Sequence, residues 1–210
     1  MKYQTREQWL EAAVELMKPV FEGRKYKVPR VRVSCSFPST KATSLKSRRL
    51  GECWDGIASA DGIHQIFITP LMDDVTGPQG VLSVLLHEVV HAVVGIPAKH
   101  GPKFKDCATA VGLEGKMTST VAGPILLVTL AEWAEKLGAY PHSKIDPGLS
   151  GRKKQTTRMR KCTCTDPECG FTVRTTTKWI EAVGAPWCPE HGAMEVEPPK
   201  DGEPEEGGDE

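Results

Sequence analysis

Residues 87 to 91 read His-Glu-Val-Val-His, and they stand in the middle of the most apolar run of the chain, GVLSVLLHEVVHAVVG. Burying ionisable groups in such a segment costs free energy unless something compensates them. On a helix, positions i and i+4 share a face, so His87 and His91 can offer two imidazole nitrogens to one ion while Glu88, one step round, addresses the same space. Two or three neutral nitrogen ligands with one open position make the catalytic arrangement of zinc. The blander reading, a pair of satisfied core histidines, is the weaker one because the motif falls inside a strongly helical pattern.

The third ligand decides what kind of centre this is. A histidine six residues after the second is ruled out, since position 97 is proline. His100 follows nine residues after His91, in KHGPKFK. Gly95 and Pro97 should end the helix, and the chain can return His100 to the metal before Pro102 opens another helix. Glu114 and Glu132 are the rival ligands. Were such a zinc centre to hydrolyse an acyl bond, it would also call for an oxyanion donor. Tyr140 and His142 are candidates, although an ordinary surface role is the simpler expectation for both.

A second constellation lies near the C-terminus. KCTCTDPECGF and PWCPEHGAM supply Cys164, Cys169, Cys188 and His191, with four residues inside the first pair, two inside the second and eighteen between the pairs. This is close to the paired-knuckle zinc pattern. Gly170 and Gly192 follow the pairs, where a knuckle needs backbone that tolerates positive φ. The first knuckle is wider than usual, so Cys162 is an alternative to Cys164. Four protein ligands leave no room for a substrate water, so this zinc is expected to be structural. The remaining cysteines, Cys35, Cys53 and Cys107, are expected in core packing.

The elements that must position these residues are legible in part. Thr5 and Gln8 form a capping box, and Leu10, Ala13, Val14, Met17 and Phe21 follow at helical spacing, which predicts a helix over 6–20. VPRVRVSCS alternates like a half-buried strand with its arginines outward, IHQIFITP over 63–70 is a second strand, and a weaker one is expected near 52–58. The metal-bearing helix is expected over 79–94, a further helix from Pro102 with Phe104, Cys107, Ala108 and Val111 inward, and another over 124–137 with Ile125, Leu126, Val128, Leu130, Trp133 and Leu137 inward. TVRTTTKWIEA alternates like a hairpin of strands.

At 210 residues the chain suits one medium domain with a small appendage. Basic and acidic residues balance at 27 each, so only their distribution is informative. The stretch 24–49 holds nine basic residues and no acid, and 183–210 holds nine acids against Lys200. Residues 151–182 carry Arg152, Lys153, Lys154, Arg158, Arg160, Lys161, Arg174 and Lys178 against three acids, with Trp179 available for stacking. Such a surface could track a nucleic-acid backbone; a solvated basic face is the alternative. No signal peptide or run of about 20 apolar residues is present. The expectation is a cytoplasmic monomer with no membrane partner.

The apolar helix with HEVVH, the short loop, the H-G-P-x-F of His100, Gly101, Pro102 and Phe104, and the preceding strand IFITP together resemble the SprT-like zinc metalloprotease family over roughly residues 5 to 140. Many such proteins end in a zinc ribbon, and one member cleaves proteins crosslinked to DNA. The resemblance implies an α+β fold, zincin-like, with helices packed on a short mixed sheet, followed by a β zinc ribbon. It implies a metalloprotease domain over 1–142 and a ribbon over 161–197, while composition sets a polar, basic linker over 143–160 and a disordered acidic tail without core-forming side chains over 198–210. It makes His87, His91 and His100 the ligands of a catalytic zinc, Glu88 the general base toward a metal-activated water, and a protein the substrate; DNA as a further partner through the linker and ribbon is an expectation from the basic residues of 151–182, not from the resemblance. The competing class is a non-catalytic zinc-binding module, a nucleic-acid-associated regulator or adaptor.

Overall fold

A computed structural model describes residues 2–44, 46–72, 77–150 and 159–198. The expected acidic tail beyond residue 198 and residues 151–158 of the expected basic linker therefore lie outside the described residues. The chain divides into two compact units, Met1–Leu149 and Ser150–Glu210. Both mix helices with small sheets, so the chain is α+β.

Unit 1 opens with α1 (Arg6–Glu22), whose Thr5 side chain accepts from the Gln8 backbone N–H while the Gln8 side chain closes the capping box. Trp9, Leu10, Ala13, Val14, Met17 and Phe21 are the buried face of α1, as an amphipathic helix requires. Strands β1 (Val31–Cys35), β2 (Gly51–Trp54) and β3 (His64–Ile68) form a sheet of order β1-β3-β2. β3 pairs parallel to β1 and antiparallel to β2. The weaker third strand was expected as far as residue 58; it stops at Trp54, and Gly56–Ala58 form a 3-10 turn capped by the Asp55 side chain.

Across this sheet lies α2 (Gly77–Val94), which also packs against α1 and two later helices, α3 (Pro102–Ala110) and α4 (Pro124–Leu137). Among the described residues α2 is the one helix long and apolar enough to cross a membrane, yet it is the central helix of this unit. Val81, Leu82, Leu85, Leu86, Val89 and Val90 are all buried in the core. Its apolar excess is thereby accounted for, because a helix contacted on most sides reads as apolar all round. α4 turns Leu126, Leu130, Trp133 and Leu137 inward but leaves Ile125 and Val128 exposed, so the expected apolar face was too wide. Between α3 and α4 comes a hairpin that the sequence did not announce, β4 (Leu113–Lys116) with β5 (Ser119–Ala122).

Unit 2 has its own small core of Cys162, Cys188 and Met194. Its main sheet has β6 (Met159–Thr163) between β7 (Thr172–Thr176) and the short β10 (Glu195–Val196), with a two-stranded ladder of β8 (Trp187–Cys188) and β9 (Gly192–Ala193) beside the second knuckle. β6 begins inside the segment expected to be linker. TVRTTTKWIEA is not a hairpin of its own: β7 pairs with β6, and Thr177–Val183 forms a short helix, α5, ended by Gly184 at φ 88°. The alternating pattern stops at Thr176, after which lysine, tryptophan, isoleucine, glutamate and alanine suit a helix as well as a strand.

Candidate metal centres

The first centre is built from α2 and the reversal that follows it. Gly95 at φ 83° leaves the helix, residues Ile96–Ala98 make one 3-10 turn, and Lys99 at φ 47° turns the chain back. The turn is closed by N–H donation from Ala98 to the Gly95 carbonyl and from Gly101 to the Ala98 carbonyl, both 3.0 Å. This reversal carries His100 to the helix face that bears His87 and His91. The Nε2 of His100 lies 3.2 Å from Nε2 of His91 and 3.3 Å from Nε2 of His87. Two nitrogens bound tetrahedrally to one zinc stand about 3.3 Å apart, so the donor set fits a single ion.

Three further features hold the imidazoles. Phe104, fully buried, places its ring 4.9, 4.4 and 5.0 Å from the centroids of His87, His91 and His100. The H-G-P-x-F run thus supplies both the third nitrogen and, one helical turn later, the apolar floor beneath all three rings. Thr120 on β5 meets His87 Nδ1 at 2.8 Å. With Nε2 turned to the cluster, Nδ1–H donates to the Thr120 hydroxyl oxygen, which fixes ring and tautomer as outer partners of metal ligands do. Burial keeps His87 and His91 neutral, with pKa values lowered to about 4 and about 3, and the neutral ring is the ligating form.

Glu88 is 6% exposed and sits against β2. Burial pushes its carboxyl up to about 8, opposed by the charge of Arg49. Gly51 makes this seat. A Cβ there would stand 2.6 Å from Glu88 Oε1 and 2.7 Å from its Cγ, so only glycine lets β2 approach so closely.

The rival ligands go elsewhere. Glu114 extends over Gly123 and Glu132 is exposed on α4; the group formed with His87 and His91 contains His100. Tyr140 and His142 stack on each other, with Tyr140 also edge-on to Trp9 and the His142 ring donating from Nε2 to the Met72 carbonyl at 3.3 Å. Their contacts are with the core. Sequence reasoning missed Thr120, Gly51 and the platform role of Phe104. The last had a signal, an aromatic four residues after His100; the other two depend on pairing between distant segments.

In unit 2, Cys164, Cys169, Cys188 and His191 bring their ligand atoms within 4.8 Å of one another. Cys169 and Cys188 sulfurs are 3.8 Å apart, and His191 Nδ1 lies 3.4 Å from the Cys164 sulfur and 3.7 Å from that of Cys188. Sulfurs on one tetrahedral zinc stand about 3.8 Å apart and a sulfur–nitrogen pair slightly less. The set fits. Backbone N–H groups of Glu190 and His191 favour the Cys188 thiolate and bring its pKa down to about 7. Asp166 Oδ2 lies 3.4 Å from the outer nitrogen of His191. Gly170 and Gly192 adopt φ 64° and 86°, as knuckles require. Cys162 is not in this group; it is fully buried in β6. Of the other cysteines, Cys107 is buried while Cys35 and Cys53 are partly so.

No family model, no curated protein and no solved structure matches the chain.

Proposed function

We propose that unit 1 is a zinc-dependent endopeptidase of the SprT-like kind with a zincin-like fold, and that unit 2 is a zinc ribbon whose ion is structural. One observation carries the reading: three imidazole nitrogens converge at 3.2–3.3 Å on the helix that also buries the carboxyl of Glu88, the residue next to His87. A structural ion needs no such neighbour. Zinc held there supplies Lewis acidity, which acidifies a water molecule and polarises a peptide carbonyl. Glu88, raised to about 8 chiefly by burial, would be drawn back toward ionisation by a cation at His87 and His91, which would leave a base poised near neutral pH. Its carboxylate takes the proton of the attacking water and returns it to the leaving amine. His87 and His91 are kept in ligating register by Thr120 and Phe104, and the apolar flank of α2 excludes bulk water behind them.

The four-ligand set of unit 2 leaves no open position, which supports a structural role. The proposed substrate is a protein. DNA association draws less support: Arg152, Lys153, Lys154 and Arg158 lie outside the described residues, and residues 159–198 contain four basic side chains against six acidic ones. The deciding experiment compares wild type with Glu88→Gln for zinc content and hydrolysis of denatured casein. We expect two equivalents of zinc in both and turnover only in wild type; full proteolysis by the variant sinks the proposal. Two equivalents without proteolysis in wild type favour the adaptor reading instead.

A further inference from the structure

Unit 2 departs from a four-cysteine ribbon in two places. His191 stands where a fourth cysteine would, and the first knuckle holds four residues, Thr165, Asp166, Pro167 and Glu168, where the second holds two. Both departures meet at Asp166. Its backbone N–H donates to the Cys164 sulfur at 3.4 Å, and its carbonyl accepts from the Cys169 N–H at 3.3 Å. That closes a turn between the two cysteines with aspartate first and proline second, the places these residue types favour. Asp166 Oδ1 accepts from the Glu168 N–H at 2.9 Å, which fixes the carboxylate within the turn. Its other oxygen, Oδ2, is left 3.4 Å from His191 Nε2. His191 in turn directs its Nδ1 at the sulfurs of Cys164 and Cys188, at 3.4 and 3.7 Å. Nδ1 is thus the ligating nitrogen, and the neutral ring carries its proton on Nε2, the atom that faces Asp166.

We propose that Asp166 is the positioning partner of His191: the widened first knuckle carries a carboxylate that accepts a hydrogen bond from His191 Nε2 and so sets the tautomer and plane of the one imidazole among three thiolates. The inference rests on the zinc reading of unit 2, and it gives the two irregularities a common reason. An imidazole binds an ion only along the lone pair in its ring plane, so a histidine ligand gains from a group that holds its outer nitrogen. A cysteine in that place has no second polar atom to hold. The 3.4 Å separation is longer than a formed hydrogen bond, and a small rotation of the ring closes it. Asp166 and His191 are 40% and 34% exposed, so solvent weakens the pairing and its effect on affinity belongs at the low end for such partners, about tenfold.

The test uses the full-length chain with Asp166→Ala, Asp166→Asn, His191→Cys and the double variant of His191→Cys with Asp166→Ala. Cobalt is titrated into the metal-free protein against a chelator. The ribbon is followed by its sulfur-to-cobalt charge-transfer absorption, which a three-histidine centre does not give. With His191 in place, Asp166→Ala should weaken cobalt binding at the ribbon about tenfold. Asp166→Asn still accepts from Glu168 but lacks the charge, and should recover only part of that loss. In the His191→Cys background the same Asp166→Ala change should alter affinity by less than about twofold, because the ring it positions is gone. An equal loss in both backgrounds would assign Asp166 to the turn alone and overturn the proposal, as would an unchanged affinity in Asp166→Ala. A second readout leaves His191 untouched: in the zinc-loaded protein the His191 Nε2 proton, followed by NMR, should exchange with water more slowly in wild type than in Asp166→Ala, and equal exchange overturns the pairing. If wild type shows no charge-transfer band, the ribbon reading fails and this inference with it. If the band is present without coupling between Asp166 and His191, the ribbon reading stands and the inference alone fails.

Discussion

Replacing Gly51 by alanine tests how the base of the site is seated. The added Cβ would stand 2.7 Å from Glu88 Cγ, 2.6 Å from its Oε1 and 2.9 Å from Val84 Cγ1. Comfortable carbon contact begins near 3.5 Å, so the deficit at Cγ is about 0.8 Å. The carboxylate tip can rotate, but Cγ and Val84 belong to a helix packed on several sides, and β2 is tied to β3 from Gly51 to Trp54. Overpacking of this kind costs about 1–3 kcal/mol, which for a unit of this size lowers Tm by about 3–10 °C. The displaced carboxylate should also lose catalytic alignment, and a misplacement near 1 Å is worth about 100-fold in rate. Zinc content should stay at the wild-type value because no histidine is touched. Calorimetry, metal analysis and casein turnover on one preparation are sufficient. A Gly51→Ala protein that melts within about 1 °C of wild type and hydrolyses casein at the same rate would refute this reasoning.

Phe104→Ala removes the floor under all three imidazoles and should cost about 3–5 kcal/mol, seen as a lower denaturation midpoint together with weaker zinc binding. Thr120→Val keeps the shape but deletes the oxygen that meets His87 Nδ1; zinc affinity at this centre should fall about 10- to 100-fold in a competition titration, and an unchanged affinity would discard the orienting role. In unit 2, Cys164→Ser should lose the ribbon ion whereas Cys162→Ser should keep it and lose only core packing, distinguished by metal stoichiometry. Chelation should unfold the ribbon, whose buried core is three residues, and shift the emission of the exposed Trp179 and Trp187; no shift on complete metal removal would mean the ribbon folds without its ion.

Local pattern made much of this chain legible. The i, i+4 spacing of His87 and His91, the capping box of Thr5 and Gln8, the proline that opens α3, and the cysteine spacing all act over a few residues, and each stands in the structure where the sequence put it. His100 was legible for the same reason, since the glycine and proline that stop α2 leave the chain a single short loop in which to return. Where the expectation failed, the pattern was degenerate. The run after Thr176 suits strand and helix alike, and Ile125 and Val128 are apolar without being core.

The sequence by itself determined the donor set, because imidazole and thiolate spacing on a helix face or a knuckle is a property of the local backbone. What the tertiary structure decided is everything that reaches the site from a distance. Thr120 lies 33 residues from His87 and is brought there by a hairpin with no strong turn signal. Gly51 is one glycine among 20 until β2 is laid against Glu88. Contacts between segments far apart in the chain are set by packing of the whole core, and no window along the sequence contains both partners.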